Sequence, residues 1–192
     1  GDIGRPHNRI IKGPEAFPQC DYLITESTYG NRLHDTEKQT EEEFLKIITD
    51  TCVVNKGKLI IHSFVIGRTQ EVVFVLNKFF HDGLLPRVKV YVDSPLAVNA
   101  TEIFRMHLDL MNEDVKREIS EGDHDPFSFN NLIYIKKVEQ SKELNELHEP
   151  CIIISASGMA EAGRVKHHIA NNIANPRNTI MMVGYCSPTS LG

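Results

Sequence analysis

Short, nearly continuous apolar runs alternate along this chain with longer segments of helical period, and that alternation restricts the fold more than any other feature. The runs are DYLITE (21–26), KLIIH (58–62), VKVYVD (88–93), LIYI (132–135), PCIIIS (150–155) and TIMMVG (179–184). A strand exposed on one face alternates apolar with polar residues, whereas these do not, so they read as strands covered on both faces, as in a parallel sheet. Between them, Phe44, Ile47, Ile48 and Thr51 share one helical face, as do Val72, Val73, Leu76, Phe79 and Phe80. Asp35 or Thr36 caps the first of these helices, whose early turns are acidic as the helix dipole favours. Strand–helix alternation implies right-handed crossovers, so the expected fold class is α/β: a three-layer domain with a mainly parallel sheet flanked by helices.

Two stretches depart from this scheme. Residues 122–131, GDHDPFSFNN, are rich in turn formers and are expected to form an exposed loop. Residues 1–19 carry Pro6, Pro14 and Pro18 and are expected to be irregular. A boundary is expected near residues 29–32, where the first run ends and the acidic helix begins.

The 192 residues suffice for one large domain or two small ones, and the net charge of -5 argues against coating nucleic acid by bulk electrostatics. Any anion site must be local. Cys20, Cys52, Cys151 and Cys186 form no Cys-x-x-Cys pair, so cytosolic thiols and a cytoplasmic location are the expectation. No apolar run approaches the roughly 20 residues that span a bilayer, and the first residues lack a secretory apolar stretch. A chain opening on Gly1 reads as a piece of something longer.

In an open parallel sheet, ligands gather at the carboxyl ends of the strands, beside helix N-termini. There the chain places small or hydroxylic residues, Ser63, Gly67, Ser94, Ser155, Ser157 and Gly158, with Arg68, Arg164 and Lys166 as nearby positive charge. Such an edge suits a phosphodiester, although each serine and glycine also fits a turn or cap. Dinucleotide, P-loop and nucleophile-elbow signatures are absent. Of the nine histidines only His167 and His168 are adjacent, and on a helix they point about 100° apart, so one packs while the other faces solvent or ligand. Asp2, Asp21, Glu26 and Asp93 sit beside strands, as metal ligands or as caps and ion-pair partners.

Several blocks occur together and in order: GDIGR (1–5), DYLITESTYGNRLH (21–34), FVIGRTQE (64–71), DSPLA (93–97), SASGM (155–159), GRVKHH (163–168) and NPRNTIMMVGY (175–185). Jointly they resemble the β-CASP branch of the metallo-β-lactamase superfamily, which includes RNase J and the polyadenylation endonuclease. The resemblance implies a zinc-dependent ribonuclease that hydrolyses phosphodiester bonds, with two zinc ions as cofactors and RNA as partner. DNA remains open, as do endo- or exonucleolytic cleavage and a homodimer of the parent protein; no membrane is implied. Residues 1–30 would be a remnant of the metallo-β-lactamase domain and 31–192 the β-CASP domain. Asp2 would match the metal-bridging aspartate and Glu26 an acidic catalytic residue. The family's His-x-His-x-Asp-His cluster would precede Gly1, its two later histidines would follow Gly192, and the fragment alone would be inactive. Arg68, Ser94, Ser155, Ser157, Gly158, Met159, Arg164 and His167 would contact substrate. Where relatives read GYQAEGTLG, this chain reads GYCSPTSLG (184–192). The alternative is a non-catalytic RNA- or protein-binding module; a free-standing nucleotide-binding α/β domain is a third reading.

Overall fold

In a computed structural model, residues 4, 7–31, 33, 36–122 and 125–192 are described. Five strands, β1 (Lys58–His62), β2 (Lys89–Asp93), β3 (Leu132–Ile135), β4 (Cys151–Ser155) and β5 (Thr179–Met182), form one parallel sheet in the order β3-β2-β4-β1-β5. The helices are α1 (Glu37–Ile48), α2 (Arg68–His81), α3 (Pro95–Met106), α4 (Glu113–Ser120), α5 (Val138–Glu146) and α6 (Gly163–Asn172).

The order explains the layers. From β1 the chain steps to β2 and on to β3 in one direction across the sheet, then returns through β4 to β5 in the other. Right-handed crossovers running in opposite directions put their helices on opposite faces. Accordingly Leu59, Ile61, Val90, Val92, Ile152 and Ile154 pack in one core with Phe44, Val73, Leu76 and Val115. The alternate positions Tyr91, Cys151 and Ile153 pack in a second core with Leu144 of α5. Strand β4 therefore sends its chain to the α5–α6 face, while β1 and β2 on either side send theirs to the other. The carboxyl end of β4 opens a crevice on each flank, the usual place for a ligand in such sheets.

Thr36 caps α1, its side chain accepting from Gln39 N while the Gln39 side chain reaches back to the cap; Asp35, the other candidate, lies outside the described residues. The helical face continues past Ile48 as a π-helical turn (Thr49–Val54) that buries Thr51 and Cys52. In the irregular N-terminal segment, Asn8 Oδ1 accepts from Ile10 N and Ile11 N, and Ile10 is buried in the larger core.

Two expectations are corrected. Residues 21–26 form no strand, and Tyr22 and Ile24 are 92 % and 88 % exposed. Their apolar character states a demand for burial that nothing in the described chain meets. The loop after α4 is not simply exposed either, because Phe127 and Phe129 are buried. Arg105 Nη2 and Tyr134 Oη donate to the Phe127 carbonyl, and Phe129 stacks on Phe80 at 5.3 Å. The turn formers shape the backbone, while its two aromatic rings anchor it in the core.

Candidate nucleic-acid interface at the carboxyl edge of the sheet

Beyond β1, Ser63 N donates to the Ser155 carbonyl, and Ser63 Oγ lies 2.7 Å from Thr69 Oγ1. Thr69 then donates twice to the Phe64 carbonyl, from N at 3.2 Å and Oγ1 at 2.7 Å. Gly67 takes φ 82°, a region that favours glycine, and so turns the chain into α2. Arg68, at the start of α2, pairs with Glu71 at 2.6 Å. Arg68 also lines a cavity of about 460 Å³ with Tyr29, Phe44, Met181 and Gly184.

Beyond β2, Ser94 caps α3, accepting from Ala97 N at 3.2 Å. Asp93 beside it is fully buried and bonded on both oxygens. Arg164 Nη1 donates to Oδ1 at 2.7 Å, while Ser141 Oγ and His168 Nε2 approach Oδ2 at 2.5 and 2.6 Å. Burial alone would raise the Asp93 pKa, but the bonds from His168, Ser141 and Arg164 outweigh it and hold the carboxyl below its ordinary range. Asp93 is thus an ion-pair partner, and the network ties β2 to α5 and α6.

Beyond β4, Ser155 is buried and donates to the Asp93 carbonyl at 2.8 Å. Ser157 is half-buried, its Oγ accepting from Met159 N at 3.4 Å. Met159 is half-buried as well. The buried Gly158 has its carbonyl fixed by His62 Nδ1 at 2.9 Å and the Cys186 thiol at 3.3 Å. That contact makes Nδ1 the protonated nitrogen of His62, whose buried Nε2 has no partner among the described residues. Burial pushes the His62 pKa down, partly offset by the bond to Gly158.

Arg164 also donates to the Lys136 carbonyl at 2.7 Å, so only its remaining donors are available to a phosphate. The adjacent histidines split as their helical spacing requires: His168 is buried on Asp93, and His167 is exposed. Glu26 is exposed, with its carboxylate accepting from Thr28 N at 2.8 Å, a bond that lowers its pKa.

The carboxyl edge therefore gathers Ser94, Ser155, Ser157, Gly158, Met159, Arg68 and Arg164 on adjoining strand ends, but several are engaged in holding the fold. Asp2 lies outside the described residues. Among those described, no three His, Cys, Asp or Glu side chains come together to hold a metal ion. The described residues do not by themselves make a zinc site. Sequence reasoning missed Phe64 and His62; the signal available was a histidine ending a buried strand and a phenylalanine directly after it.

Residues 69–192 match the family model of the Beta-Casp domain. The chain belongs to the β-CASP family. This β-CASP chain is 33 % identical along its whole length to a ribonuclease of Thermus thermophilus, covering 44 % of that protein. It is also 33 % identical over its whole length to an RNase J-like protein of Methanocaldococcus jannaschii, covering 44 % of it. Over 97 % of the chain it is 28 % identical to cleavage and polyadenylation specificity factor 73 of Drosophila melanogaster, covering 26 % of that protein. The chain thus spans less than half the length of these relatives.

Proposed function

We propose that this chain is the RNA-binding β-CASP portion of a metal-dependent ribonuclease of the metallo-β-lactamase type, which hydrolyses phosphodiester bonds. One observation carries the reading: the whole chain, carboxyl edge included, aligns with proteins named as ribonucleases. In this reading the chain's own residues hold and orient the strand. Ser157, Met159 and His167 face it from the β4–α6 side, Arg68 from the start of α2, and Arg164 with whatever donors Asp93 leaves. Ser94, Ser155 and Gly158 set the backbone on which the strand lies. Residues 1–30 would belong to the metallo-β-lactamase domain, with Asp2 as a ligand of the zinc pair and Glu26 as the acidic catalytic residue. When bound, zinc would supply the means of activating water at neutral pH.

The test is cleavage of a labelled RNA oligonucleotide by the full-length protein, with and without a chelator, and with Asp2→Ala. Cleavage that chelation and Asp2→Ala both abolish is expected. Chelator-resistant cleavage, or full activity in the variant, would overturn the metal assignment. RNA binding without any cleavage would point instead to the non-catalytic binding module.

A further inference from the structure

We propose that Phe64 is a stacking platform for an unpaired base, placing the strand across the crevice between β1 and β4. The proposal deepens the RNA-binding reading above and rests on it.

The ring's position carries the argument. A Cβ placed on Gly158 would lie 2.8, 2.7 and 2.8 Å from Phe64 Cγ, Cδ2 and Cε2. Near-equal distances to three adjacent ring carbons are met only above the ring, since in its plane the two outer carbons would be much farther away. The backbone of Gly158 therefore covers one face of the ring, an approach that any side chain at 158 would prevent. Phe64 is nevertheless 44 % exposed, near the half that one covered face leaves, so the exposure belongs to the other face and the rim.

Both sides of this arrangement are rigid. The Gly158 carbonyl is held by His62 and Cys186, and the Phe64 carbonyl by the two donors of Thr69. A single exposed apolar residue needs no explanation. An aromatic ring bedded flat on a fixed glycine at the crevice beside β4 is an oriented surface. A Cβ placed on Gly184 would come 3.8 Å from the same ring, and the next residue, Tyr185, meets Tyr29 edge-on at 6.2 Å, so two more packed aromatic rings adjoin this contact in the chain.

Charge makes stacking the more necessary. The chain carries a net charge of -5, and the two arginines nearest the crevice are paired with Glu71 and Asp93. Stacking holds single strands without relying on net charge, and every base offers a face to it.

The experiment measures binding of fluorescent single-stranded RNA to the full-length protein under chelation, comparing wild type with Phe64→Leu and Phe64→Tyr. A series of otherwise identical oligonucleotides carries one abasic site at each successive position. Phe64→Leu should bind about tenfold more weakly, the loss expected for one stacked base. Phe64→Tyr should restore most of it. One abasic position should weaken wild type to the same degree and leave Phe64→Leu unaffected, a pattern that neither lost stability nor a covering domain would produce. Equal binding by wild type and Phe64→Leu, or a loss indifferent to the abasic position, overturns the role of Phe64 alone. Failure of wild type to bind RNA overturns it together with the functional reading.

Discussion

Replacing Asp93 with asparagine removes one charge from the network that joins β2, α5 and α6 while keeping nearly the same shape. The carboxylate is 0 % exposed and accepts from Arg164 on one oxygen and from Ser141 and His168 on the other. Turned toward Arg164, the amide nitrogen would meet another donor; turned the other way, it would need the Ser141 hydroxyl and the His168 ring to accept instead of donate. The Arg164 side chain, 18 % exposed, would keep a largely buried charge without its counter-ion. Removing one partner of a buried pair costs about 3–5 kcal/mol. For a domain of this size that lowers the melting temperature by roughly 6–20 °C. Thermal and urea unfolding followed by circular dichroism read the loss directly. The pH dependence follows from the lowered Asp93 pKa. The carboxylate's contribution is complete above its unfolded value near about 3.9 and disappears as pH falls through the lower folded value. The deficit of the variant should therefore hold steady above about pH 4 and shrink in stronger acid. A loss below about 1 kcal/mol, the scale of an exposed pair, would refute the reasoning. So would a deficit that grows on acidification.

Phe127→Ala should destabilise the chain by about 3–5 kcal/mol, as for a buried aromatic side chain; the ring is 0 % exposed and meets Phe104 edge-on at 5.9 Å. A urea midpoint unchanged from wild type would return these residues to the status of a surface loop. Burial pushes the thiols of Cys52 and Cys151 up to about 12 and about 11. At mildly alkaline pH a disulfide-exchange reagent should leave both unlabelled in the folded chain and label both in denaturant. Rapid labelling of either in the native state would contradict their placement.

All five paired strands are legible as short apolar runs, although only the three central ones are largely buried, and the edge strands β3 and β5 leave Ile133 and Met182 exposed. Their order across the sheet leaves no such local record. That Asp93 sits beside Ser155 follows from β2 pairing with β4, across 62 residues of chain. The same limit applies at residues 21–26, an apolar run whose local pattern says nothing of whether a partner strand lies beside it. In the loop after α4, a glycine, a proline and two asparagines signal a turn, while Phe127 and Phe129 signal an anchor. Both signals were present in the same ten residues.

At the site, residue type was legible and availability was not. Arg164 reads as a free cation until α6 brings it to Asp93, 71 positions away in sequence. Gly158 reads as room for a phosphate until the structure fills that room with the Phe64 ring. The adjacent histidines were the exception, because the helix angle alone required one to pack and the other to face outward. The packed one, His168, joins Arg164 on Asp93, so two contacts from α6 meet one carboxylate at the end of β2. The loop bearing Ser157 and Gly158 runs from β4 into α6, so moving α6 off Asp93 would displace the bed on which Phe64 lies. If RNA lies along this edge as proposed, phosphate contact and base stacking would be coupled through the Asp93–Arg164 pair, whose arginine would itself stand beside the phosphate.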